Sequence, residues 1–287
     1  MDVAVVGAGT VGTALAFRLR EAGHRILAVS GGSSTAERAA TYLPGVPVLG
    51  PADAAREAEV VLIATPDDRI GRACESLARA DALRDGGAVA HVSGATSLDV
   101  LSAAGSAGAM VLSIHPLQTL PSVDVALARL PGSAVAVTAL SESGFLLGER
   151  LAVDIGGRPF RLADEAKPLY HAAAVFASNY VVSVAALAEE LFGKAGLAEP
   201  VDAFLPLSRA ALDNVEATGT AAALTGPVVR GDAGTVSLNL DALAGRLPSA
   251  IPAYVALAGV ALGLGERSGR LSPEGRAAVE EVLDRWK

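Results

Sequence analysis

The chain has 287 residues, 51% hydrophobic and 19% charged, with a net charge of −8. That length exceeds one typical domain and implies two, each able to bury its own core. The acidic balance argues against nucleic acid as a partner, which would require a basic surface, and the single cysteine, Cys74, excludes an internal disulfide.

Met1-Asp2 carries no basic region, and the apolar run after it breaks at Gly7, so no signal peptide is expected. Asp2 to Val6 reads as a short β-strand leading into Gly7-Ala8-Gly9-Thr10-Val11-Gly12, and the following TALAFRLREAG reads as a helix closed by Gly23. Strand, GxGxxG and helix in that order form a dinucleotide-binding turn. Gly7 makes the bend, Gly9 lets a pyrophosphate approach the backbone, Gly12 lets helix pack on strand, and the helix N-terminus at Thr10 and Val11 faces the phosphates. A second strand, RILAVS, ends at Ser30 with no Asp or Glu before Glu37 to hold a ribose 2′-hydroxyl. Ser30, Ser33, Ser34 and Arg38 are suited instead to a 2′-phosphate, so NADP(H) is expected over NAD(H). The bland alternative is a loop in which Ser33 or Ser34 only caps the next helix.

Further strand and helix pairs follow: EVVLIA from Glu59 with TPDDRIGRACESLA, then GAVAHV from Gly87 with SGATSLDVLSAAG. Strands also read at Ala109 to His115 and at Ser133 to Thr138. This alternation predicts a doubly wound parallel sheet, in which ligands bind beyond the carboxyl ends of the strands. Thr65, Pro66, Ser93, Gly94 and His115 are therefore placed at a cofactor and substrate cleft, with helix capping by Thr65 and Ser93, or a core role for His115, as the alternatives.

After RPFRL (158–162) the strand signal ends, so the spacing predicts a dinucleotide-binding domain over 1–161 and an all-helical domain over 162–287 that binds substrate and dimerises. Ala163 to Phe192 reads as one long, nearly all-apolar helix, and such a helix belongs at the centre of a domain. Pro168 suits its first turn and sets Lys167 at its lip. His171, Ala174, Val175 and Ser178 share one stripe at about 100° per residue, with Asn179 beside it. Unpaired buried polar groups cost about 1–3 kcal/mol each, so that stripe implies a groove where a ligand supplies partners. No apolar run reads as both long enough and polar-free enough to cross a bilayer; the nearest, Val175 to Leu187, contains Ser178, Asn179 and Ser183. A cytoplasmic protein with no membrane partner and no metal site is the expectation. Farther on, Thr225, Arg230 and Asp232 lie in LTGPVVRGD, whose Gly-Pro and Gly-Asp steps mark sharp turns. Arginine held in such a turn suits a carboxylate or phosphate, whereas pairing of Arg230 with Asp232 is the structural alternative.

GAGTVG, TPDD, HVSGATS, HPLQTL, KPLYHAAAVFASNY and ALTGPVVRGD together resemble bacterial Rossmann-like predicted oxidoreductases with a helical C-terminal domain of unknown function. That group is related in architecture to pyrroline-5-carboxylate reductase, ketopantoate reductase and β-hydroxyacid dehydrogenases. The resemblance implies NADP dependence and a helical, dimer-forming second domain. It implies hydride transfer to a small anionic substrate bearing a carboxylate and a carbonyl or imine, with a 2-oxo acid such as ketopantoate foremost. Members of the group often carry Ser-Arg-Ser after the second strand, where this chain has Ser30-Gly31-Gly32-Ser33, which leaves Arg38 to substitute. Hydride arrival at a carbonyl leaves negative charge on oxygen that an acid must neutralise. His171 is the first choice for that acid and Lys167 the second. Asn179 or Ser178 would orient the substrate and Arg230 would hold its carboxylate. Related architectures place Lys and Asn closer together than Lys167 and Asn179. The alternative from another class is an NADP(H)-binding regulatory or redox-sensing protein without turnover.

Overall fold

The computed structural model describes all of residues 1–287, and the chain divides into two compact units, residues 1–179 and 180–287. The strand signal ends where expected, but the first unit continues past residue 161.

The first unit holds seven strands: β1 (Asp2–Val6), β2 (Arg25–Ser30), β3 (Val60–Ile63), β4 (Ala88–His91), β5 (Met110–Pro116), β6 (Ala134–Ala139) and β7 (Arg158–Arg161). They form one sheet in the order β2-β1-β3-β4-β5-β6-β7. All neighbours pair in parallel except β5 and β6, which run antiparallel with Leu112 opposite Ala139. The doubly wound parallel sheet expected from the alternation of strands and helices is present, with one antiparallel pair. A mixed sheet of this kind is common among large doubly wound folds. Helices α1 (Thr10–Glu21), α2 (Thr35–Tyr42), α3 (Pro51–Ala55), α4 (Ile70–Arg79), α5 (Ser102–Ser106), α6 (Val123–Arg129) and α7 (Glu142–Asp154) connect the strands. Period-two alternation sends side chains to both faces. Val3 and Val5 join the core beneath Leu15, Leu19 and Leu151, while Ala4 and Val6 join the core beneath Ile70, Leu77 and Leu101. Burial on both faces explains why the strands read as continuous apolar runs.

The last part of the first unit is a short 3₁₀ turn, Asp164–Ala166, and α8 (Lys167–Ala177). Asp164 ties this turn to the sheet unit by accepting from Ser97 Oγ at 2.6 Å and from Leu98 N at 3.1 Å. The single long helix expected over Ala163 to Phe192 is interrupted. Ser178, at φ −129° and ψ −70°, separates α8 from α9 (Asn179–Lys194). Nor is this stretch buried in the single chain, since Lys167 is the one buried residue of α8 and α9 has none. Apolar composition alone therefore misplaced it.

The second unit contains α10 (Pro200–Thr218), α11 (Thr220–Ala223), α12 (Ala233–Arg246), α13 (Ile251–Arg267) and α14 (Pro273–Asp284) besides most of α9. Its core joins Val236, Leu240 and Leu243 of α12 to Leu262 of α13 and to Val279, Val282 and Leu283 of α14. Ser272 starts α14 as expected, its Oγ accepting from Gly275 N at 3.1 Å. Two helical stretches, Asp164–Lys194 and Pro248–Arg267, are long and apolar enough to cross a membrane by length and composition alone. That corrects the reading that none qualifies, because isolated Ser and Asn residues lower mean hydropathy too little to disqualify a helix.

Candidate active site

The glycine turn after β1 is shaped for a ligand. Gly7 sits at φ +99°, and a Cβ there would lie 2.6 Å from backbone atoms of Ala64 and Thr65. A side chain at Gly12 would meet Gly7 O at 2.5 Å and Val5 Cγ1 at 3.1 Å, so α1 packs directly on β1. At Gly9 a Cβ would have no neighbour within 4 Å and would project into open space. Gly9 is also the N-cap of α1 with no side-chain cap, and the first turn of α1 holds no acidic residue. Its amides and positive dipole end are left for an anion.

Two cavities meet at this turn. One, of about 880 Å³, is lined by Ser30, Gly31, Arg38, Arg69 and Arg72 among others. The other, of about 470 Å³, is lined by Thr10, Val11, Asp67, His115 and Gln118 among others. Gly9, Thr65 and Pro66 line both, so an elongated ligand running from one to the other crosses Gly9. Thr65 Oγ1 is buried without a protein partner. A bare helix N-terminus, an open glycine, an orphaned hydroxyl and a two-lobed cleft fit a dinucleotide with its pyrophosphate at Gly9.

At the first lobe the expected residues are only partly assembled. Ser30 O accepts from Gly7 N and Ala8 N at 2.8 Å each, and Arg38 Nε donates to Ala8 O at 3.1 Å. Ser33 and Ser34 are exposed and do not line the cavity, and Ser34 N-caps α2 without a side-chain bond. Arg69 and Arg72 supply cationic groups in their place, from the turn before α4 and its first turn. Sequence reasoning passed over both; their spacing of three, one helical turn beyond a strand end, was the available signal.

The loop after β4 turns inward on itself. Ser93 Oγ donates to Asp67 Oδ2 at 2.7 Å and accepts from Thr96 N at 3.0 Å and Ala95 N at 3.2 Å. Ser93 lines neither lobe, so the structure places it as the loop's own organiser instead of a cofactor contact. Gly94 serves His115: a Cβ there would come within 2.7 to 2.9 Å of three ring atoms, so only glycine lets the imidazole lie against this backbone.

Lys167 opens α8, at the lip of the helix as expected, yet it is only 1% exposed. Its Nζ donates to Ser113 Oγ at 2.7 Å and to Ser93 O at 3.1 Å. Burial lowers its pKa to about 8 against the opposing pull of Asp164 and Asp67. Lys167 lines none of the site cavities, and its ammonium reaches the middle of β5 and the loop after β4. Nearby His91 is held neutral at about 3 by burial and by the Lys167 charge, with Nδ1 accepting from Ser93 N at 3.1 Å.

His115 stands between two cavities. It lines the second cofactor lobe and also a separate cavity of about 460 Å³ formed with Gln118, Thr119, His171, Ala174, Ser178 and Asn179. The polar stripe read on α8 therefore does border a groove, and it faces the HPLQTL segment. Arg129 Nη1 fixes that segment by donating to Thr119 Oγ1 at 2.7 Å, and Gln118 Oε1 accepts from Thr119 N at 2.8 Å. His171 lines this cavity, and its Nδ1 is buried with no partner. Burial, then the charges of Lys167 and His171, push His115 down to about 4, with Asp67 opposing. Its Nδ1 lies 2.8 Å from Tyr170 Oη, and the two rings pack edge to face at 5.5 Å. Tyr170, one residue before His171, was missed because it lies off the stripe.

In the second unit, Asp232 is a helix cap: Oδ1 accepts from Thr235 N at 3.0 Å and Oδ2 accepts from Thr235 Oγ1 at 2.7 Å. Both carboxylate oxygens are thus engaged within their own turn. Arg230 is exposed in the turn before it, and its charge lowers the Asp232 pKa behind the two Thr235 bonds. Thr225 lines an apolar cavity of about 380 Å³ within the same unit.

Residues 1–116 match a Rossmann-like domain and residues 133–260 match a domain of unknown function, DUF2520. The fold resembles that of a candidate NADP oxidoreductase from Bacteroides fragilis, at 23% identity and a TM-score of 0.75 over 91% of this chain and 98% of that one. A Thermotoga maritima protein is 25% identical with a TM-score of 0.69, over 93% of this chain and all of the other. The Plasmodium falciparum pyrroline carboxylate reductase, solved with NADP bound, is 12% identical with a TM-score of 0.59, over 92% and 98% of the two chains.

Proposed function

We propose that this chain, a Rossmann-like domain joined to a DUF2520 domain, is an NADP(H)-dependent oxidoreductase acting on a small carboxylate-bearing carbonyl or imine compound, with a 2-oxo acid such as ketopantoate foremost. The observation that carries the reading is His115, shared by the lobe expected to take the nicotinamide and by a neighbouring polar cavity. A substrate in that second cavity meets the cofactor lobe at the imidazole.

The nicotinamide cofactor, when bound, supplies the hydride. The protein must hold the acceptor and provide the proton. His171, on the wall of that cavity, gives the proton to the substrate oxygen or nitrogen as charge develops there. Neutral His115 donates a hydrogen bond to the same region without competing for the proton. Gln118, Ser178 and Asn179 orient the acceptor through hydrogen bonds. Arg38, Arg69 and Arg72 line the cavity where a 2′-phosphate would lie, and no acidic residue follows β2 before Glu37. Lys167 acts beneath the site, as a buried charge that ties β4 to β5.

The test is oxidation of NADPH in the presence of a panel of 2-oxo acids and cyclic imines. We expect turnover with at least one acid and loss of kcat by about 100-fold in His171→Ala, the usual worth of a positioned general acid, with NADPH affinity kept. NADPH binding with no turnover across the panel would favour a regulatory binding protein instead.

A further inference from the structure

Tyr170 Oη and His115 Nδ1 lie 2.8 Å apart. A neutral imidazole carries one proton, and which nitrogen holds it is set by the partner of the other. The phenol is the better donor of the pair, and burial pushes the Tyr170 pKa up to about 12, so its O–H is present at any working pH. An O–H donated to Nδ1 requires that nitrogen to be bare. The ring is held in place on two further sides, by edge-to-face packing on Tyr170 and by the backbone of Gly94, which leaves no room for a side chain.

We propose that Tyr170 is a positioning residue that fixes His115 in the tautomer with its proton on Nε2, making His115 a dedicated hydrogen-bond donor to the reacting oxygen or nitrogen. The inference rests on the oxidoreductase reading for its catalytic consequence, but the tautomer itself is a property of the free protein. It divides labour between two histidines on one cavity. His115 stays neutral and donates a hydrogen bond throughout, and His171 is left to exchange the proton. Fixing the tautomer beforehand matters because a donor that need not reorganise during the reaction stabilises developing charge most effectively. Phe160, whose ring lies 6.0 Å from that of Tyr170, limits how far the phenol can swing from this position.

The experiment is nitrogen NMR of ¹⁵N-histidine-labelled protein at neutral pH, with the His115 signals identified by their loss in His115→Gln. In the wild type we expect one His115 species with the proton on Nε2. In Tyr170→Phe, which keeps the ring and its packing, we expect a mixture of tautomers with the His171 signals unchanged. For the substrate found by the NADPH panel, kcat should fall by about tenfold, the scale of one net hydrogen bond, while the KM for NADPH stays constant. A wild-type spectrum with the proton on Nδ1 would overturn the inference, and so would a Tyr170→Phe spectrum identical to wild type. If the panel yields no substrate, the oxidoreductase reading fails on its own, and the two spectra still decide the tautomer.

Discussion

Lys167 Nζ donates to Ser113 Oγ at 2.7 Å, a bond that spans from the first residue of α8 to the middle of β5. Together with the bond to Ser93 O it draws α8 onto the strand ends. We therefore expect Lys167→Met to lower stability by about 2–4 kcal/mol, through orphaned acceptors and imperfect packing, with kcat changed by less than about tenfold. Because the folded pKa of about 8 lies below the ordinary lysine value of 10.5, the unfolded chain holds more protons between those values. Wild-type stability should rise across that window, and the rise should be absent in the Met variant. Thermal melts from pH 7.5 to 10.5 on both proteins check this.

The buried histidines set the acid limit. His91 at about 3 and His115 at about 4 both lie below the ordinary histidine value of 6.5. Between those folded values and 6.5 the unfolded chain takes up protons that the folded chain refuses. Stability is thus complete above about pH 6.5 and is lost as pH falls, by about 2 kcal/mol per histidine at pH 5. Denaturant titrations at pH 5 and pH 7 should show a smaller difference for His91→Gln than for wild type. An identical difference would remove His91 from the account.

Cofactor preference tests the first lobe. Arg72→Ala and Arg38→Ala should each weaken NADPH by about tenfold or more while leaving NADH nearly unchanged, since each removes a charge-assisted contact that only the 2′-phosphate makes. Gly9→Val should abolish binding of both, because a side chain projecting into that space meets the pyrophosphate. Fluorescence titration with both nucleotides separates these outcomes.

The helical unit leaves large apolar side chains in water: Val182 is 69% exposed, Leu207 68% and Val260 62%. A homodimer formed through these helices would cover them. Sedimentation at micromolar concentration should give a dimer, and Val182→Asp should shift it towards monomer. A monomeric wild type would contradict the expectation.

What could be read from the sequence followed from short-range physics. The glycine turn and the strands carry their signal in adjacent residues, and six of the seven observed strands overlap a run of apolar residues read as one, while β7 falls on RPFR where the strand signal ends. The polar stripe of α8 was legible for the same reason, since helical periodicity alone puts His171, Ala174 and Ser178 on one cavity. Long-range pairings were not legible. Nothing near Lys167 signals that it reaches Ser113, and nothing near Tyr170 signals that it meets His115 across 55 positions. Ser93 and Asp232 were read as ligand groups because both are polar residues at loop ends. Their hydroxyl and carboxylate close local turns instead, a use that residue type cannot distinguish from binding. The apolar stretch around α9 was assigned to a core that the single chain does not supply, because composition reports the need for burial without naming what provides it.

The central claim is hydride transfer at the face shared by the His115 and His171 cavity, and the most direct measurement uses NADPH deuterated at C4 of the nicotinamide. Incubated with the protein and the substrate class proposed above, it should deliver one deuterium to the former carbonyl or imine carbon of the product, with the label lost from one face of the nicotinamide only. Recovery of fully deuterated cofactor, bound by the protein yet unchanged beside every carbonyl and imine supplied, would contradict the account.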